Sequence, residues 1–236
     1  MTFRLIWLKT TRHTGLNGLA SQIFSDPTVV QDLKYTYDPV GNIIRIEDAA
    51  LKSVIYNNQQ VDPVCNYTYD AIYRLIEAKG REHIGQTAFN FNSLNNNRRD
   101  YPFAGLADFI THPNDTNKLR NYTERYKYDA VGNFDVLHHI ANGGSWIRNY
   151  EYDTDSLIEA GKKSNRLTKT TVGNSLNFNE TYTYVDTQGN DVNGCMTAIN
   201  NMSMIWDFKD QLQQVALGGG GNAYYIYDSG VSAYAR

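Results

Sequence analysis

Proline and cysteine are both scarce, at 5 and 2 in 236 residues. Cys65 and Cys195 stand far apart and neither belongs to a Cys-x-x-Cys pair. They support neither a disulfide framework nor a zinc site, and two partly buried free thiols are expected. A charge excess is also missing. Lys plus Arg number 22 against 25 Asp plus Glu, a formal net charge of -3. Without a basic surplus to displace counterions from phosphates, a general nucleic-acid binder is excluded. No apolar run approaches the ~20 residues of a helical membrane span. The stretch 3–8 is interrupted by Arg4 and ends at Lys9, too short for the core of a signal peptide.

Signatures of catalysis are absent as well. There is no Gly-x-Ser-x-Gly, and neither cysteine has a recognisable setting. The four glycines 218–221 lack the Gly-Lys-Ser/Thr of a phosphate loop and read as a flexible hairpin connection. Glu82-His83 has no second histidine at zincin spacing. His138 and His139 are neighbours, which a strand points to opposite faces. The histidines are therefore expected on the surface or in hairpins. No catalytic residue, cofactor or metal is expected, and the chain is read as a non-enzyme.

What the chain has is tyrosine, asparagine and glycine, at 18, 25 and 18 residues. Tyrosine suits a pleated, half-buried strand, and Asn and Gly suit tight turns. Twelve tyrosines form six Tyr-x-Tyr pairs: Tyr35/Tyr37, Tyr67/Tyr69, Tyr126/Tyr128, Tyr150/Tyr152, Tyr182/Tyr184 and Tyr225/Tyr227. Alternation puts both rings of a pair on one face of a strand. Asp38, Asp70, Asp129, Asp153 and Asp228 follow directly, and Asp186 follows Tyr184 after one inserted residue. A variant reads Trp206-Asp207-Phe208-Lys209-Asp210. The steps between second aromatics are 32, 59, 24, 32, 24 and 19 residues, so insertions sit in the connections.

The residues after the Asp recur too. Asp38-Pro39-Val40-Gly41-Asn42-Ile43 matches Asp129-Ala130-Val131-Gly132-Asn133-Phe134, and Asp186-Thr187-Gln188-Gly189-Asn190 keeps the Gly-Asn. Asp70-Ala71-Ile72-Tyr73-Arg74 replaces it with Tyr-Arg. The unit reads as strand, turn, strand. The aromatic pair packs, Asp accepts hydrogen bonds from turn amides, and Gly-Asn supplies positive φ. Calcium would need several oxygens converging in one loop, and each unit offers about one carboxylate. A turn-capping Asp is the preferred reading.

The unit Tyr-x-Tyr-Asp-x-x-Gly-Asn followed by an alternating apolar strand resembles the YD repeat of the RHS family. Tyr69–Glu77 running into Gly80-Arg81-Glu82-His83-Ile84-Gly85, Tyr122–Asn133, and Trp206 to Gln213 leading to Tyr225–Asp228 resemble the RHS portion of insecticidal toxin-complex and SpvB-like proteins. The likeness covers roughly Gln31 to Asp228. It implies arrays of hairpins that coil into a spiral sheet closing as a hollow shell around a toxic C-terminal segment. It further implies a non-catalytic structural role, with further RHS repeats or other toxin-complex subunits as partners. The implied location is extracellular, within a larger secreted toxin assembly. After Tyr227-Asp228-Ser229-Gly230 the family's core and toxic domain find no counterpart, so a fragment of a longer array, or the product of a truncated or degenerate gene, is expected.

The expected fold is all-β, a twisted, open strip of antiparallel hairpins. Residues 1–30 carry no clear repeat, 31–236 form the repeat region, and 87–113 read as a loop insertion. Segment 222–228 has the composition of an edge that recruits another strand. The functional alternative is a carbohydrate-binding module that uses exposed aromatic rows on cell-surface glycans. Cross-strand packing of the rings, at roughly 0.2–1 kcal/mol per pair, accounts for the same pattern without a ligand.

Overall fold

The computed structural model describes residues 3–12, 25–26, 28–84, 117–173, 178–217, 220–227 and 233–235. The loop insertion expected at 87–113 lies outside them. Among the described residues every regular element is a strand, and no α-helix is present.

The chain divides into two compact units. The first holds β1 (Trp7–Thr11), β2 (Val29–Tyr37), β3 (Ile43–Asp48), β4 (Val54–Tyr56), β5 (Gln59–Val61), β6 (Val64–Tyr69), β7 (Leu75–His83), β8 (Leu119–Tyr128) and most of β9 (Phe134–Ala141). Its antiparallel sheet runs β1-β2-β3-β6-β7-β8-β9. The second unit holds most of β10 (Trp146–Glu151), with β11 (Lys169–Val172), β12 (Phe178–Thr183), β13 (Ala198–Ile199), β14 (Met202–Trp206), β15 (Leu212–Ala216), β16 (Asn222–Tyr227) and β17 (Ala233–Ala235), in chain order. Neither run of strands closes on itself, as the repeated hairpin unit predicts.

Register explains how the repeat works. Tyr35 pairs with Ile46 and Tyr67 with Ala78. A bulge recurs just before the turn, between Thr36 and Tyr37, Thr68 and Tyr69, and Ile205 and Trp206. Such a bulge adds local twist where the strand enters its turn. The tyrosines of every pair lie on the half-buried face, and the residue between them is exposed in Thr36, Thr68, Lys127, Thr183 and Ile226.

The apolar core is thin. Val29, Ala50, Val61 and Ala78 are buried in the first unit, Val172 and Val215 in the second. Residues between β3 and β6 make a separate hairpin, β4–β5, which turns through the positive-φ pair Asn57-Asn58. Gln60 takes the Asn121 amide on its carbonyl and Lys52 takes Arg81, which ties this hairpin to the sheet.

Candidate functional site

Each aspartate turn is a self-contained cap. Asp38 N–H donates to the Asn42 carbonyl at 2.9 Å, and Gly41 N–H returns to the Asp38 carbonyl at 3.2 Å. The Asp38 carboxylate accepts the amides of Gly41 and Asn42 at 2.7 and 2.8 Å, and the Asn42 side chain at 2.8 Å. Asp70 does the same with the amides of Ile72 and Arg74 and with Arg74 Nε. Asp186 caps Gln188 and Asn190, and Asp207 caps Lys209 and Gln211. The residue before the last must adopt positive φ. Gly41, Gly132 and Gly189 do so freely. Tyr73 and Asp210 occupy the same place at φ 67° and 57°, held there against an intrinsic cost of about 1–2 kcal/mol.

These carboxyls should respond to acid. Burial opposes ionisation of Asp38, but the Asn42 side chain and the turn amides outweigh it and hold its carboxyl below the ordinary 3.8. The backbone amide of Arg74 leads the same effect at Asp70, and that of Asn190 at Asp186. A lowered carboxyl stabilises the fold above its unfolded value and loses that contribution as pH falls through the folded one. Thermal melts followed by circular dichroism should therefore be flat near neutrality and fall once pH drops below the 3.8 reference. A melting temperature unchanged from neutral pH to well below that reference would disprove the capping role.

The second aromatic of each repeat reaches back to the preceding hairpin. Tyr37 donates its hydroxyl to the Leu5 carbonyl at 2.7 Å, Tyr69 to Ile43 at 2.8 Å, and Tyr128 to Leu75 at 2.8 Å. Tyr152 donates to Phe134 at 3.0 Å, Tyr184 to Leu167 at 3.0 Å, and Tyr227 to Leu212 at 2.9 Å. Trp206 Nε1 makes the equivalent bond to Met196 at 2.7 Å. Every acceptor is an apolar residue at the start of a return segment: Ile43, Leu75, Phe134 and Leu212 open β3, β7, β9 and β15, and Leu5, Leu167 and Met196 lie two residues ahead of β1, β11 and β13. Trp206 is thus the second ring of its repeat, and Phe208 stands at the turn tip, 90% exposed. The first rings pack laterally. Tyr126 and Tyr182 donate to Glu124 and Glu180, and Tyr150 stacks on Phe134 at 5.7 Å. Tyr69→Phe should cost about 1 kcal/mol, the usual net worth of such a bond. Equal urea midpoints for the two proteins would remove the latch from the account.

An arginine backs three latches. Arg4 lies 5.5 Å over the Tyr37 ring and donates to the Asp38 carbonyl. Arg74 lies 4.8 Å over Tyr128 and donates to the Asp129 carbonyl, and Arg166 lies 5.4 Å over Tyr184. Each cation serves the hairpin after its own. Phe3-Arg4-Leu5-Ile6 therefore stands where Tyr73-Arg74-Leu75-Ile76 stands, and the N-terminal segment supplies a return strand. Asp153 departs from the pattern. Its amide donates to Thr168 Oγ1, and the chain returns only after a longer excursion bridged by Asp155 and Lys163. Asn133 reaches Asn165, and Asp228 lies outside the described residues.

One histidine lies in a hairpin, as expected, but not on the surface. His139 is only 3% exposed, its ring stacked between Tyr122 at 5.4 Å and Trp146 at 5.1 Å. Nδ1 lies 3.2 Å from Glu124 Oε1, and Nε2 lies 3.1 Å from Glu82 Oε2, off the axis of a hydrogen bond. Arg120, 4% exposed, donates from Nε to Glu82 at 2.7 Å and from Nη1 to the Asn142 carbonyl at 2.6 Å. Burial, then Cys65, Glu124 and Glu82, push the Tyr122 hydroxyl up to about 12. This is a buried polar core where the sheet has little apolar volume to offer. The paired rings themselves do not form an exposed row, because they sit on the half-buried face with second-ring donors engaged.

No family model matches the chain. Toxin subunits YenC1 and YenC2 of Yersinia entomophaga are 35% and 34% identical to it over 167 and 165 residues. Each match covers 70% of this chain, which spans 14% of the relative's length. A segment of the crystal structure of TcdB2-TccC3-Cdc42 shares the fold with a TM-score of 0.58 and 29% identity, over 97% of this chain and 9% of that one. The Photorhabdus luminescens Tc holotoxin pore contains a like segment, with a TM-score of 0.56 and 28% identity, over 96% of this chain and 9% of that one.

Proposed function

Because this chain resembles the RHS portion of insecticidal toxin-complex proteins, we propose that it is a non-catalytic segment of the wall of a toxin shell. The wall would enclose a toxic domain or deliver it. The observation that carries this reading is the repeated latch from each second aromatic to the preceding return strand. A wall needs strength passed from one repeat to the next, and each latch adds a bond between hairpins beyond the sheet ladder itself. The partners are further RHS repeats and other toxin-complex subunits, and the setting is an extracellular toxin assembly.

The test is a graft. The matched segment of YenC1 is replaced by this chain, and the chimera is assembled with its partner subunits. The expected result is a complex whose enclosed segment resists protease as it does in the parent. A complex that assembles yet leaves that segment open to cleavage would reject the wall function.

A further inference from the structure

We propose that the exposed turn after β9 is a self-modifying site, at which Asn142 deamidates through Gly143 with help from the buried Arg120 guanidinium. Asn142 and Gly143 are both exposed, and Gly143 sits at φ +79° with no side chain to hinder attack. In the reaction the Gly143 backbone nitrogen loses its proton and attacks the side-chain amide carbon of Asn142. The new N–C bond forms a cyclic imide, and the C–Nδ2 bond breaks to release ammonia. Water then opens the ring at either carbonyl, leaving an aspartyl or isoaspartyl residue. One water is consumed, one ammonia is lost, and nothing is oxidised.

The difficult step is removal of the peptide proton. Its charge spreads onto the carbonyl oxygen of the same peptide, which is the Asn142 oxygen. Arg120 Nη1 already donates to that oxygen at 2.6 Å. A fixed cation placed where negative charge develops lowers the barrier in the manner of an oxyanion hole. Glu82 holds the guanidinium from the other side at 2.7 Å, so it cannot turn away.

A second Asn-Gly provides an internal comparison. Asn193-Gly194 is equally exposed. Its reacting groups are tied down, however: Asn193 Nδ2 donates to Asp210 at 3.0 Å, and Gly194 N–H donates to Asp191 at 3.0 Å. The leaving amide and the attacking nitrogen are both engaged elsewhere. Local sequence is alike at the two sites, and the surrounding fold makes them differ.

The product bears on the buried cluster. An isoaspartyl link lengthens the turn by one backbone atom and moves the carbonyl that Arg120 uses. The guanidinium would then rely on Glu82 alone. The turn therefore works as a slow chemical clock on the polar core of the first unit.

Peptide mapping by mass spectrometry tests this on the full chain, incubated at mildly alkaline pH with and without urea. Folded Asn142 should deamidate about tenfold faster than in urea, a modest share of what such stabilisation supplies in enzymes. Asn193 should be slower folded than in urea. Arg120→Lys should bring Asn142 back toward its urea rate. If that variant fails to fold, the folded-against-urea comparison still decides. Asn142 reacting no faster in the folded chain than in urea would overturn the proposal.

Discussion

Glu82→Ala is expected to lower the stability of the first unit by about 3–5 kcal/mol, the usual cost of removing one partner from a buried ion pair. Glu82 accepts from Arg120 Nε with one oxygen and faces His139 Nε2 with the other. Its removal leaves a guanidinium with 5% side-chain exposure and no carboxylate. The cation is shielded from water, and among the described residues the remaining acceptor is the Asn142 carbonyl. The comparison is Glu47→Ala. Glu47 pairs with Arg45 at 3.2 Å, but both side chains are about two-fifths exposed, and such surface pairs contribute about 0–1 kcal/mol. Urea denaturation should separate the two variants widely, and Trp146, stacked on His139, is a local fluorescent reporter. Similar midpoint shifts for both would show that burial does not set the value of the Glu82 pair.

The sequence made the hairpins legible because their determinants are local. Asp38, Gly41 and Asn42 lie within five residues, and cap, positive φ and closure all follow from them. The ring alternation was legible for the same reason. What escaped was set by pairing across strands. Glu82, Arg120 and His139 come from three strands, and no spacing in the chain announces that they meet. The surface reading of His139 failed because a buried imidazole needs partners that only the fold supplies. Trp206 was legible as an aromatic, but its rank in the repeat depended on which Asp closes the turn. The bond from the Asp207 amide to the Gln211 carbonyl settles that. Arg4-Leu5 carries a signal that was present but short. Its match to Arg74-Leu75 becomes meaningful only when each arginine is seen over the next tyrosine.

The second large effect is expected from Gly144→Ala, at about 3 kcal/mol, between ordinary overpacking and loss of a buried pair. Gly144 is not in the left-handed region, so backbone strain plays no part. The cause is space. A Cβ there would lie 2.0 Å from Arg120 Nη2 and 2.7 Å from Cζ. Arg120 cannot yield easily, because Nε is fixed on Glu82 and Nη1 on the Asn142 carbonyl. The added methyl must displace the turn or pull the guanidinium from both acceptors. This makes the cost conditional on the arginine. In an Arg120→Ala background the same change should be nearly neutral, since the conflicting atoms are gone. A double-mutant cycle measures that difference as a coupling of about 2–3 kcal/mol, at the upper end for residues in contact. If Gly144→Ala costs as much without the arginine as with it, the glycine is required for the turn itself. The close approach of Arg120 would then have no part in its selection.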